Sequence, residues 1–252
     1  GSSALMLAME AINLPKGSEV ITPALTFSTT VSYIVRNGLI PVFADVREGT
    51  YCIDESQIKA LITKKTKAIL APNLLGNLVD WKKIFPILKK KKILIIEDSA
   101  DTLGATYKKK STGNYTDISI TSFYGSHIIN CAGNGGMVCF NNLEPSELGA
   151  AFGLVQLKKL NKNLHLRQNN FNIHSKFFQK YLKFFILPKQ LEYSKTGWLA
   201  YPLTIRPGSP FTRTEMQIFL EKRNIQTRVI FTGNITRQPG FKKIKMKKNK
   251  NG

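Results

Sequence analysis

The chain has 252 residues, enough for one large domain and a smaller appendage, and 42% of them are hydrophobic, enough to bury a sizeable core. The 37 Lys+Arg against 16 Asp+Glu give a formal charge of +21, which directs attention to acidic partners: nucleic acid, a membrane surface or phosphorylated small molecules. No run approaches the ~18 apolar residues of a membrane span, and three cysteines (Cys52, Cys131, Cys139) without a Cys-x-x-Cys pair exclude a disulfide framework and a zinc-finger site.

Along the first 140 residues, short apolar runs alternate with helical patterns. In chain order the spacing predicts a helix over 4–13, a strand over 19–21, a helix over 28–37 and a strand over 41–45. A helix over 54–62 follows, with Asp54 as N-cap and Gln57 completing a capping box. Then come a strand over 68–72, a helix over 81–90, and strands over 93–97, 118–123 and 136–140. Residues 143–160 read as a helix with Leu148, Ala151, Phe152, Val155 and Leu160 on one face. Near-continuous apolar strands between helices predict an α/β fold, a mainly parallel central sheet covered by helices on both faces.

A small C-terminal α+β domain is expected to start at Asn172, with a helix over 175–185 and a strand over 198–205. A turn at Pro207-Gly208, a helix over 212–224 and a strand over 227–231 complete it. The expected division is therefore 1–171, 172–241 and a Lys-rich, disordered tail over 242–252.

The positive charge lies in runs: Lys64-Lys65-Thr66-Lys67, Lys89 to Lys92, Lys108 to Lys110, and Lys242 to Lys250. The first three fall between apolar segments and read as solvated surface. The tail interleaves only Phe241, too little base-stacking surface for a single-strand binder, so no specific nucleic-acid partner is expected. A reducing cytoplasmic setting is the default. With no initiator Met and no basic, apolar leader, a fragment of a non-secreted protein is expected.

The chemistry-bearing motifs are individually ambiguous. Gly1-Ser2-Ser3-Ala4 opens a helix and reads as a phosphate seat or as an ordinary serine cap. Asp98 closes the strand ILIIED, where α/β sheets bind ligands; it reads as the partner of a protonated ring nitrogen or as a helix N-cap. Ser122 ends another strand and can donate to phosphate. His127, in the loop that follows, is an acid–base candidate or a structural histidine.

Their order is more specific. Gly-Ser-Ser-Ala, Pro23-Ala24-Leu25-Thr26-Phe27, Asn73-Leu74-Leu75-Gly76-Asn77, Glu97-Asp98-Ser99-Ala100-Asp101, Ser122-Phe123-Tyr124 and Gly135-Gly136-Met137-Val138 follow one another. That series resembles the DegT/DnrJ/StrS family of pyridoxal-phosphate-dependent nucleotide-sugar enzymes, of fold type I, over most of residues 1–240. The resemblance implies that Ser2, Ser3 and Ala4 seat the cofactor phosphate, with Ser122 as a second donor. Phe27 would stack on the pyridine ring and Asp98 would keep its nitrogen protonated. A homodimer with shared active sites is implied too.

Where the family's aminotransferases carry the lysine that anchors the cofactor covalently, this chain has His127, and no Lys lies between Lys110 and Lys158. That exchange resembles the family's 3-dehydratases of nucleotide-linked 4-keto-6-deoxyhexoses. Asp101 in Glu-Asp-x-x-Asp agrees, and residues 224–239 resemble the CDP-4-keto-6-deoxyglucose 3-dehydrase group. The branch implies pyridoxamine 5'-phosphate (interconverting with pyridoxal 5'-phosphate) held noncovalently, and His127 as the proton-moving group. It also implies a CDP- or GDP-linked substrate and loss of the carbon 3 hydroxyl on the way to 3,6-dideoxy sugars of lipopolysaccharide O-antigen. Arg228 and Arg237 are candidates for the nucleotide diphosphate, or surface arginines.

In that branch the reaction is completed through a [2Fe–2S] cluster and a separate reductase, or through glutamate. Three thiols without a Cys-x-Cys cannot supply four ligands, so a [2Fe–2S] cluster is not expected in this chain. Segments of the family before residue 1 and after residue 142 are expected to be missing. A sugar aminotransferase, a noncatalytic remnant and a basic nucleic-acid-binding protein remain the alternatives.

Overall fold

A computed structural model describes residues 1–129, 135–140 and 148–248, omitting the side chains of 148–159. Helices and strands alternate from the start: α1 (Ser2–Ala11), β1 (Glu19–Pro23), α2 (Ser28–Arg36), β2 (Ile40–Ala44), α3 (Glu55–Leu61), β3 (Thr66–Pro72), α4 (Trp81–Lys90) and β4 (Leu94–Asp98). The short pair β5 (Thr106–Tyr107) and β6 (Lys110–Ser111) precedes β7 (Ile118–Ser122) and β8 (Gly136–Phe140). Then come α5 (Leu148–Phe178), β9 (Phe185–Ile186), β10 (Ser194–Lys195), β11 (Thr204–Ile205), α6 (Arg213–Glu221) and β12 (Lys247–Lys248).

Seven strands make the central sheet, in the order β12-β2-β1-β3-β4-β7-β8. All neighbours are parallel except β7 and β8. Strand alternation sends successive side chains to opposite faces. Ala68 and Leu70 of β3 pack with Leu5, Met9 and Ile34 on the α1/α2 side, while Ile69 and Ala71 pack with Ile58, Trp81 and Leu88 on the α3/α4 side. Both faces are thus buried, which explains why the strands read as continuous apolar runs. Parallel register brings Pro72, Asp98 and Ile120 side by side at the carboxyl edge of the sheet.

Three expectations need correction. α5 runs through the expected boundary at residues 171/172 as one helix (residues 143–147 of the expected element lie outside the described residues). Its side chains explain the continuity: Phe171 stacks on Trp198 at 4.3 Å, and Leu160 and Leu164 lie against Gly104 and Gly197. The expected strand over 198–205 survives only as β11, and 227–231 is no strand. There the Thr227 N–H donates to Glu221 (2.6 Å), and Phe231 is left-handed, at φ 47.

The tail is the third. Rather than being disordered throughout, it returns to the sheet as β12, parallel to β2. Lys247 there pairs with Glu19, whose side chain is completely buried and also accepts from Thr63 (2.6 Å). Residues 249–252 lie outside the described residues.

Candidate functional site

The carboxyl ends of β3, β4 and β7, the start of α1 and the segment 225–233 surround an open cleft. Ser2, Ser3, Ala4, Phe27, Asp98, Asp101, Ser122, His127 and Arg228 all line it. Arg237 does not; it is exposed in a short 3-10 turn, Ile235–Arg237.

α1 begins with Gly1 as its N-cap, and among the described residues no side chain caps it. The first N–H groups of a helix have no intrahelical partner and carry the positive end of its dipole. Ser122 sits against this end. A Cβ on Gly1 would lie 3.0 Å from the Ser122 side chain, and one on Gly136 would lie 2.9 Å from the Gly1 nitrogen. Glycine at these two positions lets α1, β7 and β8 converge, so serine hydroxyls and free N–H groups face one spot. That donor set fits a phosphate.

Asp98 is the last residue of β4. Among the described residues its carboxylate accepts one hydrogen bond, from the Ala100 N–H at 3.1 Å. Burial, with the charge of Asp101 adding to it, pushes Asp98 up to about 6. A buried carboxylate with spare acceptor capacity facing a cleft fits a cationic N–H, such as a protonated pyridine nitrogen. Strand alternation turns Glu97 the other way, where it accepts from Ser99 at 2.5 Å. Phe27 forms the N-cap of α2, is 48% exposed, and meets Phe231 edge-on at 5.6 Å.

His127 lies 3.7 Å from Asp101, Nε2 to Oδ1. Its Nδ1 is buried without a well-aligned partner among the described residues. Burial lowers its pKa; a backbone group of Ser122 opposes this, and the positive charge of Arg167 reinforces it. The ring is therefore neutral near pH 7 and ready to accept a proton. Burial pushes Asp101 up to about 6. The Leu75 N–H donates to its other oxygen, Oδ2, at 2.9 Å.

The sequence reading named Leu75 without a role, and it missed Tyr51. Leu75 holds a left-handed conformation, φ 58, which costs about 1–2 kcal/mol for a non-glycine residue. Neighbouring bonds hold it there: Leu199 N–H to Leu75 O (3.0 Å) and Thr196 Oγ1 to Gly76 O (2.5 Å). Tyr51 also lines the cleft, its hydroxyl 2.8 Å from Thr204 Oγ1. No sequence signal marked it, since its partner is 153 residues away.

Among the described residues no cluster of His, Cys, Asp and Glu could hold a metal ion, and no helix is long and apolar enough to cross a membrane. Cys131, one of the three thiols, lies outside them.

Comparison with solved structures gives a match to the GDP-4-keto-6-deoxy-D-mannose-3-dehydratase of E. coli with bound hydrated PLP. The TM-score is 0.87 at 25% identity, covering 99% of this chain and 77% of that one. The fold and the cleft together define a pyridoxal-phosphate-dependent enzyme of fold type I. The profile of the DegT/DnrJ/EryC1/StrS aminotransferase family matches residues 1–147 and 142–251, and the chain belongs to that family. Lipopolysaccharide biosynthesis protein RfbH of Salmonella typhimurium is 34% identical over 97% of this chain and 70% of its own length. The GDP-4-keto-6-deoxy-D-mannose 3-dehydratase of Yersinia pseudotuberculosis is 31% identical over 93% of this chain and 72% of its own. The alignment with RfbH runs over 307 positions against 252 residues here, so at least 55 positions of RfbH have no counterpart.

Proposed function

We infer that this chain is a 3-dehydratase of nucleotide-linked 4-keto-6-deoxyhexoses that works with pyridoxamine or pyridoxal 5'-phosphate. The observation that carries the reading is His127 beside Asp101 in a cleft with no lysine among its described lining residues. A lysine amine is what an aminotransferase of this family needs there, whereas an imidazole serves to move protons.

When bound, the cofactor supplies an amine that joins the 4-keto carbon and a ring that draws electrons from it. The residues divide the remaining work. Ser2, Ser3, Ala4 and Ser122 hold the phosphate. Phe27 covers the ring. Asp98 keeps the ring nitrogen protonated, which turns its own raised pKa from a liability into a strong charge-assisted contact. With the cofactor in place, His127 would take the proton from the carbon bearing the amine, and Asp101 would stabilise the resulting imidazolium. The carbon 3 hydroxyl would leave as water, carrying the proton that His127 took, the step toward a 3,6-dideoxy sugar of lipopolysaccharide. Arg228, exposed on the cleft wall, is placed for the CDP or GDP diphosphate.

The enzyme works in the cytoplasm as a homodimer, with glutamate or a separate reductase completing the reaction. The two-piece family match, overlapping at residues 142–147, supports the expected missing segment after residue 142. Incubating the protein with pyridoxamine phosphate and CDP- or GDP-linked 4-keto-6-deoxyhexoses, followed by mass spectrometry, tests the reading. It predicts a product lacking the carbon 3 oxygen. No such product from any of these sugars would overturn it.

A further inference from the structure

We propose that Arg167, on α5, is a positioning residue for the His127–Asp101 pair, acting through the backbone of Leu199 and Leu75; the role in catalysis rests on the dehydratase reading. Arg167 Nη1 donates to two consecutive carbonyls, Trp198 O at 3.3 Å and Leu199 O at 3.1 Å. The Leu199 N–H donates to Leu75 O at 3.0 Å. The Leu75 N–H donates to Asp101 Oδ2 at 2.9 Å. This leaves Asp101 Oδ1 turned to His127 Nε2.

Each link joins groups that have little freedom. Leu75 is left-handed and stays so only while clamped. Gly76 lies so close that a Cβ there would meet Trp198 Cα at 2.6 Å, so the Trp198–Leu199 backbone and the turn move together. Phe171, one turn along α5 from Arg167, stacks on the Trp198 ring and fixes the same segment from its side chain. Arg167 therefore sets the height of the Leu199 backbone, Leu199 sets the Leu75 turn, and the turn sets which Asp101 oxygen faces the imidazole. The guanidinium is half-buried, and burial lowers its pKa without discharging it.

Among the described residues the charged and titratable groups around His127 are Asp101, Arg167 and Tyr124 (ring centroids 5.9 Å apart). A direct field from Arg167 and a relay through Asp101 make different predictions. The test is an NMR titration of ring-labelled histidine in the protein without cofactor. The chain has three histidines, and His127→Asn assigns the signal.

In Arg167→Gln the Leu75 turn loosens, Asp101 moves toward the imidazolium, and the His127 pKa rises by about half a pH unit or more. Arg167→Lys keeps the charge, but its side chain ends about one bond short of the Nη1 that serves both carbonyls and lacks the rigid guanidinium plane, so it must show at least half of that rise. In an Asp101→Asn background the Arg167→Lys rise must vanish, and the Arg167→Gln rise must shrink to the part left by removing the Arg167 charge. A His127 pKa unchanged in both Arg167 variants overturns the proposal. So does an Arg167→Lys rise that persists in Asp101→Asn, or an Arg167→Lys protein that titrates as the unsubstituted one does. Should Arg167→Gln fail to fold by circular dichroism, the lysine variant decides alone. Turnover plays no part in this titration, so a failed dehydratase assay and a failed relay are separate results.

Discussion

Replacing Asp98 by Asn removes a charge that the fold holds at a cost. The Asn side-chain oxygen can still accept the Ala100 N–H that Asp98 accepts at 3.1 Å. A carboxyl raised from 3.8 to about 6 by burial corresponds to about 3 kcal/mol of lost stability at neutral pH. Asp98 opens on the cleft, where water relieves part of this, so a gain of about 1–2 kcal/mol on substitution is the working figure.

The sign follows from the raised pKa. Below pH 3.8 the group is protonated in both folded and unfolded chains and costs nothing. As pH rises from 3.8 through about 6 the unfolded chain ionises first, and the folded state loses ground. Without cofactor, Asp98→Asn should therefore raise the Tm at pH 7.5 by about 3–6 °C, with little difference at pH 4. With pyridoxamine phosphate the order should reverse. The unsubstituted protein gains a partner for Asp98 and is stabilised, while the variant gains little. Differential scanning calorimetry at two pH values, with and without cofactor, reads all four cases. A variant no more stable than the parent at pH 7.5, or one stabilised equally by the cofactor, would refute the reasoning.

Three further outcomes follow from the same structure. Lys247→Met leaves Glu19 buried without its cation and should cost about 1–3 kcal/mol. Burial pushes the Glu19 pKa up, but hydrogen bonds from Lys247, Thr63 and Thr66 outweigh it and hold it low. That stabilisation is present above the ordinary carboxylate range and fades as pH falls through the lowered pKa, so urea midpoints of variant and parent should converge in acid. Arg228→Ala should raise KM for the nucleotide sugar about tenfold and leave kcat nearly unchanged, since phosphate contacts remote from carbon 3 bind ground and transition states alike. His127→Lys supplies the missing amine, and should capture pyridoxal phosphate in a yellow adduct that borohydride fixes to residue 127.

The sheet was legible because its strands are buried on both faces. Strand 136–140 and helix 81–90 emerge with their expected limits, the other expected elements before residue 140 shift by one or two residues at an end, and only the helix expected over 143–160 runs far beyond its limit, to Phe178. The site residues from Ser2 to His127 were legible as an ordered series of motifs, which the parallel sheet gathers at one edge. What the sequence hid is tertiary. Nothing local shows that Phe171 and Leu164 keep α5 running past an asparagine-rich stretch, because their contacts, Trp198 and Gly197, lie about 30 residues on. Lys247 reads as one more surface lysine until the fold brings it to Glu19. Arg237 looked equivalent to Arg228, and only the turn at Ile235–Arg237 separates their surroundings.

The central claim is that this cleft removes the hydroxyl at carbon 3 with His127 moving the proton. A GDP- or CDP-linked 4-keto-6-deoxyhexose carrying oxygen-18 at carbon 3 tests it most directly. With pyridoxamine phosphate, the unsubstituted protein should release the label to water and His127→Asn should retain it on the sugar. A sugar that keeps its label and gains an amine at carbon 4, or label release undiminished in His127→Asn, would contradict the account.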